Sequence, residues 1–203
     1  MVTLARSAVH IETPYHRVKM LLDILAAACL LVLLAPVLLL VALLIRLDSA
    51  GPAIYRQRRV GAHGKSFTIY KFRTMHVKAP CLSTEELQHR GAIPFTRLGP
   101  LLRNTSLDEL PQLLNILRGE MSFIGPRPAL PTQTDVNELR FELGVDGVRP
   151  GLTGLAQVMG RDDLDSETKV RYDAEYCREL SLTTDLRIIA LTAAAVLSAR
   201  GNK

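Results

Sequence analysis

Apolar positions in this chain gather into one long run and then disperse into short periodic groups. Residues 24–45 contain no charged side chain. As a helix they would extend about 33 Å, against a hydrocarbon core of about 30 Å. Hydropathy alone reads the run as a single spanning helix. Two features oppose that reading. Pro36 lies mid-run, where it removes a backbone hydrogen bond and kinks a helix. Basic residues flank both ends: Arg6, Arg17 and Lys19 before, then Arg46, Arg56, Arg58, Arg59 and Lys65 after. A spanning helix has one basic and one depleted flank. The pattern therefore predicts a re-entrant helix–break–helix over about 20–47, broken at Pro36, with both ends on the same side. Its two arms, about 18 and 14 Å long, would each reach about mid-bilayer. Asp23, at the edge of the run, is placed to pair with Arg17 or Lys19 near the headgroups.

Beyond Gly51-Pro52 the periodicity changes. Stretches 53–60 and 66–75 are rich in β-branched and aromatic residues and flank Gly61-Ala62-His63-Gly64, which predicts a β-hairpin. Alternation with Tyr70 and Phe72 puts Lys71 and Arg73 on one strand face. That face is either a substrate-facing cation pair or simply solvated. Residues 78–91 form a polar excursion. Leu110, Leu113, Leu114 and Leu117 then follow at helical spacing, with Gly119 as a stop. Pro126, Pro128 and Pro131 enforce an extended turn. Residues 134–143 and 167–180 read as amphipathic helices, and 186–199 as an apolar helix too short to span, buried or lying against the membrane. The expected fold class is α+β: an N-terminal segment at 1–50 carrying the membrane helix, then a small, mostly helical domain at 51–203 with a β-hairpin and interfacial helices.

Composition narrows the partners. The chain has 203 residues, 25 Lys and Arg against 20 Asp and Glu, net charge +5 and pI about 9.3. The basic residues crowd the membrane run and the short motifs, which favours an anionic bilayer and phosphorylated ligands. No basic stripe interleaved with aromatics points to nucleic acid. Three separated cysteines, Cys29, Cys81 and Cys177, give no disulfide framework, so a reducing cytosolic setting is expected for the domain. A homo-oligomer is left open.

The candidate chemistry centres on Asp108 and Glu109. Ser106 and Glu109 fit a capping box, a purely structural role. Pro111 conflicts with it, because a proline that far into a helix costs a hydrogen bond. A helix restarting near Pro111 would leave both acids on a strained turn, open to a substrate. Adjacent carboxylates suit one attacking phosphorus while the other holds a divalent cation or handles a proton. They suit glycoside hydrolysis poorly, since that needs carboxylates facing each other about 5 to 9.5 Å apart. Arg103 lies shortly before Asp108, and Arg127 is held between Pro126 and Pro128, preorganised for phosphate oxygens.

The strings YKFRTM, TSLDELPQLLNILRGEMSFIGPRP, RPGLTGLAQVMGR and TTDLRIIALT, in this order, resemble the bacterial sugar-transferase family of small monotopic phosphoglycosyl transferases. The resemblance runs from about Arg17 to Thr192. It implies a ping-pong reaction in which Asp108, matching the family nucleophile, takes a phospho-sugar from a UDP-sugar, releasing UMP, and passes it to undecaprenyl phosphate. It implies Glu109 as acidic partner, Mg²⁺ as cofactor, and Arg103, Arg127 and Arg161 near the phosphates or nucleotide. Lys71, Arg73 and Pro128 join these as candidate substrate-binding residues. It also implies a re-entrant helix at Pro36, the cytoplasmic face of a bacterial inner membrane, and the first membrane step of capsule, exopolysaccharide, O-antigen or glycoprotein assembly. Two departures stand out. Ala35-Pro36 replaces a common Ser-Pro, and Gly160-Arg161-Asp162-Asp163 replaces GRN followed by tryptophan, with no tryptophan in this chain. The competing reading is a non-catalytic membrane-bound scaffold with a spanning helix.

Overall fold

A computed structural model describes residues 14–77, 79, 94–160 and 164–197. The apolar run becomes the core of α1 (Pro14–Asp48), a helix of 35 residues. The expected break does not interrupt it: Pro36 lies inside the helix. One missing N–H is a local loss, and packing on both sides of the proline outweighs it. Lys19, Asp23, Ala27, Val41 and Ile45 are buried along one seam of α1. Leu30, Leu31 and Leu34 continue that seam against one core cluster, and Leu38 and Ala42 against another. The opposite face is equally apolar and exposed, with Leu21, Leu25, Val32, Leu33, Leu39, Leu43 and Leu47 uncovered.

Both ends of α1 are tied to the rest of the chain. Near its start, Tyr15 and Lys19 donate to Asp185 Oδ2 at 2.6 and 2.7 Å. Asp23 is buried, accepts from Ser122 Oγ at 2.7 Å and lies 3.9 Å from both Lys19 and Arg149. The expected Lys19–Asp23 pairing therefore forms within the protein interior. At the far end, the Arg73 guanidinium donates to the carbonyls of Ser49 and Ala50, just past the helix. Gly51, at φ 118°, turns the chain away in a conformation that L side chains rarely adopt.

β1 (Ile54–Val60) and β2 (Ser66–Phe72) form the expected antiparallel hairpin, with Ile54 opposite Phe72 and Val60 opposite Ser66. Arg73 falls just beyond β2, which is why it caps α1 instead of sharing a strand face with Lys71. Then come α2 (Gly99–Asn104), a 3-10 turn (Leu107–Gln112) and α3 (Leu113–Leu117). Asn115, fully buried, locks α3 to β2: its amide donates to Thr68 O at 2.7 Å and its oxygen accepts from Tyr70 N at 3.2 Å.

A second strand pair is absent from the sequence reading. β3 (Ser122–Ile124) runs parallel to β4 (Gly151–Thr153). Around it pack α4 (Thr134–Glu142), α5 (Leu155–Met159), α6 (Ser166–Arg178) and α7 (Leu182–Leu197). Ile124, Leu155, Val170, Tyr176 and Ile188 form the centre of this half. α7 buries Ile188 and leaves Leu182, Leu186, Ile189 and Val196 exposed. The fold is α+β with one long apolar N-terminal helix. Cys29 and Cys177 are free thiols, while Cys81 lies outside the described residues.

Candidate active site

The site begins with a backbone reversal. Ser106, at φ 56°, is left-handed without being glycine, and it swings the chain from α2 into the 3-10 turn. Its side chain makes no cap hydrogen bond. The structural role open to Glu109 is thus not the one realised: its backbone N–H bonds Ser106 O, but its carboxylate goes elsewhere. Pro111 fits inside the 3-10 turn, and the α-helix proper starts only at Leu113. Both acids sit on the strained turn, in the arrangement that Pro111 foreshadowed.

Glu109 Oε1 accepts from Lys71 Nζ at 2.7 Å and lies 3.4 Å from Arg127 Nη2. Burial by itself would raise this carboxyl, but Lys71 and then Arg127 outweigh it and hold it down at about 2. Glu109 is thus a fixed negative charge. Asp108 differs. It is only 8% exposed, and its carboxylate accepts no hydrogen bond from any described residue. Burial pushes its carboxyl up to about 6, with Lys71 pulling against the rise, Glu109 adding to it, and Arg103 and Arg127 opposing it. A largely buried carboxylate near three cations, with no donor among the described residues engaging its oxygens, has the chemistry to attack an electrophile.

Arg103 reaches this neighbourhood from the last turn of α2, its guanidinium 5.4 Å from the Phe95 ring centroid. Arg127 is half-exposed on the proline-bounded loop. That loop is pinned to β1: Pro128 O accepts from Arg59 Nη1 and Ala129 O from Val60 N, both at 3.0 Å. A shallow open cleft is walled by Arg59, Ile69, Lys71, Gln112, Arg127, Pro128 and Gly151, two of which, Lys71 and Arg127, contact Glu109. The structure therefore gathers Asp108, Glu109, Lys71, Arg103, Arg127 and Pro128. Arg73 stays apart, holding the end of α1, and Arg161 lies outside the described residues. Sequence reasoning missed Arg59, Gln112 and Gly151. Arg59 carried a usable signal, since the hairpin register opposes it to Phe67 and so places it on the Lys71 face.

No group of three metal-ligating side chains exists among the described residues. What the turn offers is two adjacent carboxylates, one without hydrogen bonds from the described residues and one with an oxygen already taken by Lys71. This suits Mg²⁺, which binds through one or two carboxylates and completes its shell with water and substrate phosphate.

Comparison with known proteins follows the same line. The sequence matches the bacterial sugar transferase family over residues 14–199. It is 44% identical over 187 residues to a UDP-glucose:undecaprenyl-phosphate glucose-1-phosphate transferase of Caulobacter vibrioides, covering 89% of this chain and 70% of that protein. It is 39% identical over 196 residues to the exopolysaccharide production protein ExoY of Rhizobium meliloti, covering 89% and 85%. A UDP-N-acetylgalactosamine-undecaprenyl-phosphate N-acetylgalactosaminephosphotransferase of Aeromonas hydrophila is 38% identical over 196 residues, covering 92% and 45%. The chain belongs to the bacterial sugar transferase family and is a transferase enzyme.

Proposed function

We propose that this enzyme transfers a phospho-sugar from a UDP-sugar to undecaprenyl phosphate, releasing UMP, through a covalent intermediate on Asp108. The observation that carries the reading is the buried Asp108 carboxylate, without a hydrogen bond among the described residues, set among Lys71, Arg103 and Arg127. In the first half-reaction an Asp108 oxygen bonds to the sugar-bearing phosphorus. The bond from that phosphorus to the bridging oxygen breaks, and UMP leaves with the electron pair. In the second, a phosphate oxygen of undecaprenyl phosphate bonds to the same phosphorus and the Asp108 ester bond breaks, restoring the carboxylate. UMP is a stable anion and needs no proton to depart. The work of the side chains is to offset charge. Lys71 and Arg127 already neutralise Glu109, and together with Arg103 they face the charge that accumulates when a carboxylate meets a diphosphate. Mg²⁺, held by Asp108 and Glu109, would neutralise phosphate charge further.

The lipid acceptor requires a bilayer, and we assign α1 a re-entrant course from the cytoplasmic face of a bacterial inner membrane. α7 then lies in the interface with its apolar face outward. Support comes from α1 itself: a straight helix of its length would be about 52 Å, yet its first turns, its middle and its last turn all touch one domain. A spanning course would separate Lys19 from Asp48 by a membrane. The product would enter capsule, exopolysaccharide, O-antigen or glycoprotein assembly at its first membrane step.

The test is mass spectrometry of enzyme quenched during turnover, with UDP-glucose and UDP-N-acetylgalactosamine as first donors. A phospho-sugar adduct on Asp108, lost in Asp108→Asn, is expected; full turnover by Asp108→Asn would end the proposal. For topology, cysteines at positions 10 and 63 should label from the cytoplasmic side alike. Labelling from opposite sides would establish a spanning helix.

A further inference from the structure

Gln112 closes the 3-10 turn and is 2% exposed, and its Nε2 has no hydrogen-bond partner among the described residues. A buried amide N–H without an acceptor costs about 1–3 kcal/mol, and native structures seldom carry one without a reason. Local geometry gives no relief. A 3-10 turn has three residues per turn, so side chains at i and i+3 eclipse. Gln112 thus follows Glu109 by one turn, and it shares a cleft with Lys71 and Arg127, the two cations that meet Glu109. Gln112 lines the shallow cleft that those two cations also line. Pro111 before it and Leu113 after it, the latter 2% exposed and packed into the core, hold the backbone here in place.

The cleft's chemistry selects the missing acceptor. Arg59, Lys71 and Arg127 contribute three cations to the walls, so the acceptor is an anionic oxygen. Of the groups that the reaction proposed above brings to this turn, only phosphates answer that description. We infer that Gln112 is a substrate-contacting residue whose amide N–H donates to a phosphate oxygen of a bound substrate. A neutral donor serves a distinct purpose here. Glu109 already neutralises Lys71 and Arg127 in part, and a further cation would lower the Asp108 carboxyl and weaken its attack. An amide orients the phosphate without changing the charge seen by the nucleophile.

The inference rests on the phosphate chemistry of that reaction but not on the covalent step, so equilibrium binding without turnover tests it separately. Wild type and Gln112→Met, which keeps the side-chain length and removes the donor, are compared in detergent micelles for uridine diphosphate, for a short-chain polyprenyl phosphate, and for uridine as the phosphate-free control. Roughly tenfold weaker binding of one phosphorylated ligand is expected, the scale of a lost hydrogen bond to a charged group, with uridine unchanged. The ligand that weakens identifies the source of the phosphate, and weakening of both means one shared seat. Unchanged binding of both, whether or not the melting temperature moves, overturns the inference. Should Gln112→Met not fold, Gln112→Glu serves instead. It places a carboxylate against the phosphate and must weaken binding more strongly, and wild-type affinity in that variant overturns the inference equally.

Discussion

Two clusters of buried charge lie in this protein, and they are built on opposite terms. At the foot of α1, Asp185 accepts from Tyr15 and Lys19 at one oxygen and from Tyr176 at the other, while Asp23 accepts from Ser122. Two acids sit with two bases, Lys19 and Arg149, and both Asp185 oxygens are engaged. On the 3-10 turn the cations likewise meet Glu109, but Asp108 receives no hydrogen bond from the described residues and Gln112 offers an unanswered donor. The first cluster engages both oxygens of Asp185 and fastens the long apolar helix to the rest of the chain, with Arg149 Nη1 left without a hydrogen bond among its bases within the described residues. The second leaves polar groups of Asp108 and Gln112 unengaged by the described residues. What differs is the carboxylates: both oxygens of Asp185 accept hydrogen bonds, and those of Asp108 accept none from the described residues.

The comparison can be broken most forcefully at its extremes. Asp108→Asn should lower turnover at least about 10³-fold, the scale on which losing a nucleophile is felt, measured as UMP release. Asp185→Ala strands Lys19 in the interior and should cost about 3–5 kcal/mol in denaturant unfolding, with kcat following only the folded fraction. Lys71→Met should lower kcat about 10²-fold, because it removes a cation aimed at developing charge.

Stability separates the clusters more finely. The Asp108 carboxyl is raised from 3.8 to about 6 in the folded protein. Between those values the native state holds a proton that the unfolded chain has released, so stability falls as pH rises through this window. Asp108→Asn removes that cost. It should be more stable than wild type above pH 6, by on the order of 1–3 kcal/mol, with the gain vanishing below about pH 4. A capping role for this turn would give the opposite sign. The same ionisation should bend the wild-type profile, with kcat/KM for the donor falling about tenfold per pH unit below about 6. Smallest of all, Arg171→Ala removes an exposed pair with Glu167 and should shift the melting temperature too little to resolve.

What was legible in the sequence was local. Gly61 and Gly64 mark the hairpin turn, Gly119 ends a helix at φ 73°, and Pro111 betrays that the acids precede the regular helix. What was not legible depended on distance along the chain. β3 and β4 are three residues each, too short to show a period, and they pair across α4. Lys71 meets Glu109 across 38 residues and Lys19 meets Asp185 across 166, and neither partner carries a local mark of the other. Arg73 looked like a partner of Lys71 because alternation was carried one residue past the end of β2. The apolar run concealed its own seam, since both faces of α1 are equally greasy and only packing distinguishes them.

That seam has a practical consequence. Ala27 shares a core cluster with Phe67, Ile69, Leu113 and Met121, and Val41 and Ile45 share another with Phe72 and Leu102. Trimming away α1 to obtain a water-soluble enzyme would therefore unroof two of the three cores and leave the hairpin and α3 as raw surface. Any preparation of this protein has to keep the exposed apolar face of α1 covered, because the same helix is also masonry of the globule.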